Sequence, residues 1–322
     1  MSLPTFTSTT TAEEVATVFA DQIQGKNVLI TGTSINGIGF EAARVIAKYA
    51  NLLIITGYNS ERLELSEEAI KQELPSANIR LSTLYLASLA GVRKAAAEVN
   101  AYPEPLHVLI HNAAASPGPY KLSADGFEMH LATDHIGPFL LTKLLVPKLL
   151  EAATPGFTPR VVFVSSLAHT WATSMDFDKL GHPDPESFST TNAYATAKTA
   201  NILSAIELSR RSKGKINAYS LHPGAIFTNI QQREESKAYM LENGIITAEG
   251  LPNTDKFPWK SIPEGAATTV AAAFDTRLDA KPGAYLSDGM EANSEIAPSC
   301  TKEAAAKLWT TTEELIGEKW EF

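Results

Sequence analysis

Short runs rich in branched apolar residues alternate along this chain with longer stretches whose apolar residues recur at helical spacing. Runs apolar throughout fit strands buried on both faces, and helices between them fit the crossovers of a parallel sheet. Seven strands are predicted: Asn27–Thr31, Leu52–Thr56, Ile79–Leu84, Val108–His111, Val161–Ser165, Ile216–Leu221 and Gly283–Leu286. Between them the pattern predicts helices at Ile38–Ala50, Ser60–Glu73, Ser88–Asn100, roughly Ser123–Glu151, and Asn192–Lys213. Ser60 can cap its helix, and Gly137 with Pro138 should bend the long one. The fold class is therefore α/β: a doubly wound, mostly parallel sheet with helices on both faces. The rhythm breaks over 229–262, where a short helix mixes with Gly- and Pro-bearing loop. Such an insertion reads either as a functional lid or as a surface excursion.

No internal repeat or low-complexity linker divides 26–290, so one domain is expected. An N-terminal helical extension over 1–25 and a C-terminal tail with a helix over 291–322 flank it. The 27 basic and 36 acidic residues leave a net charge of −9, which argues against nucleic acid as the main partner. Cys300 is the only cysteine and permits no internal disulfide; the histidines lack ligand spacing, so no metal is expected. The N-terminus lacks a basic region followed by an apolar run, and no segment of about 18 uninterrupted apolar residues occurs. These features predict a cytoplasmic protein without a membrane span.

Three motifs carry candidate chemistry. Thr31-Gly32-Thr33-Ser34-Ile35-Asn36-Gly37-Ile38-Gly39 lies between the first strand and the first helix. Glycines there let the backbone approach a pyrophosphate at the helix N-terminus, although such a turn can also serve only to tighten the chain. Tyr194 and Lys198 are spaced i, i+4 and share a helix face. A phenol is a poor acid–base group at its free pKa of about 10, and a nearby ammonium lowers that value. Alone, the spacing also describes many solvated helix faces. Ser165-Ser166 ends a strand at the sheet edge where α/β folds bind ligands. A serine there can hydrogen-bond a substrate oxygen or merely cap the turn.

Taken together and in this order, the three motifs resemble the short-chain dehydrogenase/reductase superfamily over almost the whole chain. His111-Asn112-Ala113-Ala114 resembles the family's Asn-Asn-Ala-Gly stretch, and His222-Pro223-Gly224-Ala225-Ile226-Phe227-Thr228 its Pro-Gly-x-x-x-Thr loop. Ser166-Leu167-Ala168-His169, the wide gap to Tyr194, and Ala200-Asn201-Ile202-Leu203 resemble the retinol-dehydrogenase and WW-domain-oxidoreductase branch; unlike in many of that branch, neither an N-terminal membrane anchor nor a WW module is expected. The resemblance implies a seven-stranded Rossmann sheet and an NAD(P)(H)-dependent oxidoreductase that interconverts a carbonyl and an alcohol by hydride transfer. It implies Tyr194 as general acid/base, Lys198 as the group that lowers its pKa and binds the nicotinamide ribose, and Ser166 as the group that polarises the carbonyl. It implies cofactor contacts from Gly32, Ser34, Asn36, Gly37, Ile38, Gly39, Tyr58, Asn59, Arg62, Leu86, Asn112, Ala113, Tyr194, Lys198, Pro223, Gly224, Ile226 and Thr228.

Several positions depart from the family pattern. Four residues separate Gly32 from Gly37 where three are usual, so the turn must bulge. Tyr85 replaces an adenine-contacting Asp, His107 a common Asp, and Ala114 a Gly. Asp134 stands in the place of a catalytic Asn that holds a proton-relaying water. It is counted among the catalytic candidates: it could accept from that water, pair with Lys198, or only fix the helix bend. After the second strand, Gly57–Arg62 carries no carboxylate to repel a 2′-phosphate, and Tyr58 replaces the arginine common in NADP-preferring relatives. That favours NADP(H) and leaves NAD(H) open. A bulky, apolar small-molecule substrate is expected in a pocket walled by residues 167–180, including Leu167, His169 and Trp171, and by Phe227. Tyr239, Met240, Leu241, Phe257 and Trp259 of the insertion add apolar surface. A homodimer is compatible with the sequence. Two other readings stay open: a dinucleotide-holding scaffold without turnover, suggested by Asp134, Tyr85 and Ala114, and a dehydratase or epimerase.

Overall fold

The structure, a computed structural model, describes residues 3–172 and 175–322. The main sheet holds β1 (Asn27–Thr31), β2 (Leu52–Gly57), β3 (Ile79–Thr83), β4 (Val108–His111), β5 (Arg160–Val164), β6 (Asn217–His222), β9 (Tyr285–Ser287) and β10 (Met290–Glu291). Their order is β10-β9-β6-β5-β4-β1-β2-β3, while β7 (Ala225–Ile226) and β8 (Trp259–Lys260) pair apart from it. The seven predicted strands are all present and parallel; β10 folds back antiparallel on β9, an eighth, two-residue edge strand too short to leave a pattern. β1 is paired on one side with β2 and on the other with β4. The strand order therefore reverses there, and the crevice beyond the carboxyl ends of β1 and β4 is the place where such sheets bind ligands.

The helices are α1 (Ala12–Val18), α2 (Ala20–Ile23), α3 (Ile38–Ile46), α4 (Ser60–Glu73), α5 (Leu89–Asn100), α6 (Met129–Leu131), α7 (Gly137–Glu151), α8 (Thr190–Ser212), α9 (Asn229–Gln232), α10 (Glu234–Glu242), α11 (Ile262–Phe274) and α12 (Lys302–Ile316). The sheet separates two apolar layers. One contains α3 and α11 with Val15, Phe19 and Ile23 of the N-terminal segment. The other contains α5, α7 and α8 with Trp309 and Trp320 of the C-terminal segment. Trp309 and Trp320 meet Phe139 edge-on, with ring centroids 4.8 and 5.0 Å away, so α12 covers the α7–α8 face. No helix among the described residues is long and apolar enough to cross a membrane.

The long predicted helix differs in two respects. It starts at Met129 rather than Ser123, because Leu122 and Glu128 bridge around a turn with Gly126 at φ +82°. Its irregularity is a π-helical turn over Ala132–Ile136, just before Gly137. Gly137 serves close approach: a Cβ there would lie 2.3 Å from the Leu86 carbonyl oxygen. Such π turns insert one extra residue into the helix and are frequent at functional sites; Asp134 lies inside this one. The 229–262 insertion carries α9 and α10, and the β7–β8 pairing closes its base.

Candidate active site

A cleft of about 990 Å³ runs along the carboxyl edge of the sheet. In its first half the chain presents backbone. Gly32 has φ +73°, and a Cβ there would lie 2.7 Å from Ala113 Cα, so only glycine fits. The extra loop residue is taken up by Asn36 in the left-handed region, with Gly37 N–H donating to Ser34 O at 3.1 Å. Asn229 Nδ2 ties this loop to α9 through Ile35 O at 2.6 Å. Gly37 precedes α3 without a side-chain cap, so the first-turn N–H groups and the helix dipole stay available to an anion. Asn112 Nδ2 donates to Thr31 O and Gly32 O at 2.9 and 2.8 Å, which fixes β4 against the end of β1. A tight glycine turn at an uncapped helix start, beside a switch point, fits a dinucleotide pyrophosphate.

Charges gather in the second half. Lys198 on α8 is only 2 % exposed, and its Nζ lies 3.0 Å from Asp134 Oδ2. The contact is an ion pair rather than an aligned hydrogen bond. Asp134 Oδ1 accepts from Ala115 N–H at 2.7 Å, and Lys198 Nζ donates to Val164 O at 3.2 Å. Burial disfavours the Lys198 ammonium, but the Asp134 carboxylate, with a smaller contribution from Tyr194, outweighs it and raises the lysine's pKa. Lys198 Nζ stands 5.5 Å from the centre of the Tyr194 ring, one helical turn away. Ser165 Oγ donates to Lys198 O at 2.7 Å, tying the end of β5 to α8. The neighbouring Ser166 lines the cleft together with Tyr194 and Lys198. Its Oγ accepts from Ala168 N–H at 3.2 Å, so it caps its turn and also faces the cleft. His222 Nδ1 accepts from Leu167 N–H at 3.0 Å. Burial, assisted by Lys260, pulls His222 down to about 4, which keeps that acceptor free of a proton at neutral pH.

Most predicted contacts meet in this cleft: Gly32, Ser34, Gly37, Ile38, Tyr58, Arg62, Leu86, Asn112, Ala113, Ser166, Leu167, Trp171, Tyr194, Lys198, Pro223, Gly224, Ile226 and Thr228 all line it. Others do not. His169 is wholly buried, its ring bonded to Ser166 O at 2.7 Å and tilted against Tyr285 with ring centroids 5.3 Å apart, so it is a core residue rather than a pocket wall. Phe227 turns away from the cleft and packs edge-on against Trp259, which lines it in its place. Asn59 spends its Oδ1 on the Arg62 N–H as the cap of α4, the role predicted for Ser60. Asn36 and Gly39 shape the turn without lining the cleft; a Cβ on Gly39 would meet Asn112 Nδ2 at 2.2 Å. Asp134 reaches the site through Lys198. Of the insertion, Phe257 and Trp259 line the cleft, whereas Tyr239, Met240 and Leu241 do not. Thr173 and Ser174 of the predicted 167–180 wall lie outside the described residues. Sequence reasoning missed Glu128 and His130, a buried pair of which His130 lines the cleft, although the Glu-x-His spacing before the expected catalytic position was visible.

The comparisons with known proteins agree with this geometry. The family model for short chain dehydrogenase matches residues 26–175. Short-chain dehydrogenase TIC 32 B, chloroplastic, of Brassica napus is 36% identical over 318 residues, covering 96% of this chain and 93% of its own. Retinol dehydrogenase 12 of Mus musculus is 32% identical over 303 residues, covering 93% and 89%. A solved structure of a putative uncharacterized protein from Mycobacterium paratuberculosis superposes with a TM-score of 0.69 at 25% identity, covering 94% of this chain and 98% of that one. The NADPH-bound carbonyl reductase from chicken fatty liver shares the fold at 19% identity, with a TM-score of 0.59 and coverage of 84% and 99%. The chain belongs to the short-chain dehydrogenase/reductase superfamily, in its retinol-dehydrogenase-like branch. As a member of that class it is an oxidoreductase dependent on a nicotinamide dinucleotide.

Proposed function

We propose that this protein reduces a carbonyl, or oxidises the matching alcohol, of a bulky apolar small molecule, with NADP(H) as preferred cofactor. The observation that carries the reading is a buried, carboxylate-paired ammonium one helical turn from Tyr194 in the cleft that Ser166 also lines. The bound nicotinamide supplies or takes the hydride. Tyr194 gives the substrate oxygen its proton in reduction and takes it back in oxidation. Lys198 favours the phenolate by its charge and offers hydrogen bonds to the ribose. Ser166 holds and polarises the substrate oxygen. Asp134 keeps the ammonium in place. The Gly32–Gly39 turn and the start of α3 would hold the pyrophosphate, and Tyr58 and Arg62, which line the cleft after β2 with Arg62 donating to the Tyr58 hydroxyl at 3.4 Å, would hold a 2′-phosphate. Trp171, Phe257 and Trp259 give the substrate end its apolar surface, and the 229–262 segment acts as its outer wall.

The test is Tyr194→Phe, which removes the acid and leaves the ring. Turnover of aldehydes and ketones should fall about 100-fold or more, while NADPH binding measured by fluorescence stays within a few-fold. Turnover close to wild type overturns the assignment.

A further inference from the structure

Glu128 and His130 take no part in the chemistry assigned above. Glu128 caps the α6 turn: its Oε2 accepts from the Leu131 N–H at 3.0 Å. Its Oε1 lies 2.7 Å from His130 Nδ1, and both side chains are almost wholly buried. An ionised carboxylate can only accept, so Nδ1 carries the proton, and in the neutral ring Nε2 is a bare acceptor. That Nε2 is buried and has no hydrogen-bond partner among the described residues. His130 lines the cleft beside Met129 and Thr133, and its ring stands edge-on to Tyr194 with centroids 6.3 Å apart. The helix cap needs only one oxygen of Glu128, so capping does not account for the histidine. A buried polar atom without a partner is unfavourable, and a hydroxyl seated against the His130 stretch of the cleft wall would satisfy it.

We propose that His130, oriented by Glu128, determines specificity by accepting a hydrogen bond from a hydroxyl of the substrate other than the reacting group. The substrate class is then an otherwise apolar hydroxy-aldehyde or hydroxy-ketone, or the corresponding diol in the oxidative direction. This rests on the carbonyl–alcohol reading above.

The experiment uses pairs of aldehydes or ketones identical except for a hydroxyl at graded distances from the carbonyl, assayed with NADPH. The readout is the kcat/KM ratio within each pair, so a general loss of activity in a variant cancels. In the wild type the hydroxylated member should win by about tenfold or more at one distance, mainly through KM. His130→Phe should bring that ratio to about one. His130→Gln, whose amide can donate to Glu128 and still accept, should recover part of it and keeps the test available if the Phe variant does not fold. Wild-type ratios near one at every distance, or an unchanged ratio in both variants, overturn the inference. Absence of turnover with every compound overturns the underlying carbonyl–alcohol reading, and the inference with it.

Discussion

The two halves of the cleft are built from different materials. Around β1 and β2 the ligand-facing surface is backbone and open side chains: Gly32 and Gly37 shape it, and Tyr58 is 55 % exposed. Around β5 and α8 polar side chains are held inside: Lys198 and His130 line the cleft and are paired with the Asp134 and Glu128 carboxylates, all four at or below 2 % exposure. The difference follows from the tasks. A phosphate carries its own charge and needs donors that approach closely, which N–H groups at a helix start provide. Proton transfer needs charges held in a fixed place away from water, and burial without pairing would be prohibitive. The first half should therefore tolerate charge changes with little loss of stability, and the second should not.

The largest effect expected from this contrast is in stability. Lys198→Met leaves the Asp134 carboxylate buried without its partner, and should cost about 3–5 kcal/mol in a denaturant titration. Adding Asp134→Leu to it should recover most of the loss, because the charge is then gone from both sides. Arg62→Ala, in the open half, should stay within about 0.5 kcal/mol of wild type. Equal losses from Lys198→Met and Arg62→Ala would break the comparison.

Acid should act on the buried histidines. His107 just before β4, His111 at the end of β4, His135 in the π turn and His222 at the end of β6 are held below the usual histidine value, chiefly by burial. His111 and His135 lie fully inside, each 2.7 Å from a threonine hydroxyl, and are lowered to about 3. The folded state therefore prefers them neutral. Above pH 6.5 neither state binds the proton, and the full stability is present. Below it the unfolded chain takes protons that the folded chain refuses, so stability falls between about pH 6.5 and 3. At pH 5 each of these two should account for about 2 kcal/mol of loss. Unfolding followed at pH 7 and pH 5 checks this; a flat profile would place the rings in contact with water.

In the open half the sharpest test is cofactor choice. Gly57 ends β2, and a Cβ there meets nothing closer than Leu63 Cδ2 at 3.4 Å, so Gly57→Asp has room to fold. Wild type should prefer NADPH over NADH in kcat/KM. The new carboxylate should cut that preference by about tenfold or more while leaving the melting temperature nearly unchanged. A wild type that strongly prefers NADH would show that Tyr58 and Arg62 do not hold a 2′-phosphate.

The same contrast explains what could be read from the chain. The sheet was legible because apolar runs of strand length leave few alternatives, and the backbone site because glycines at fixed offsets after a strand have one common use. Tyr194, Lys198 and Ser166 were recognisable through their order. What escaped reading depends on side-chain direction. His169 and Phe227 sit in the right segments but point into the core and onto Trp259, and nothing in a segment's composition gives that direction. Asn59 rather than Ser60 caps α4, a one-residue shift that propensity does not resolve, since both types cap well. The π turn at Ala132–Ile136 and the Glu128–His130 pair depend on tertiary packing, which periodicity does not encode.

The smallest effect expected, and the one most specific to this chain, concerns Asp134. Its carboxylate is bonded to Ala115 N–H and paired with Lys198. Asp134→Asn can keep the first contact through its amide oxygen, but places an NH2 group beside the ammonium and removes a negative charge. Burial then opposes the Lys198 charge with less to offset it, so the alkaline limb of activity, where that ammonium is lost, should move to lower pH. That limb should shift by up to about one pH unit, with the height of the profile largely kept. Asp134→Ala loses both contacts and should lower activity while a cooperative unfolding transition remains. A purely structural aspartate predicts otherwise: an unmoved pH profile in the Asn variant and full activity in the Ala variant.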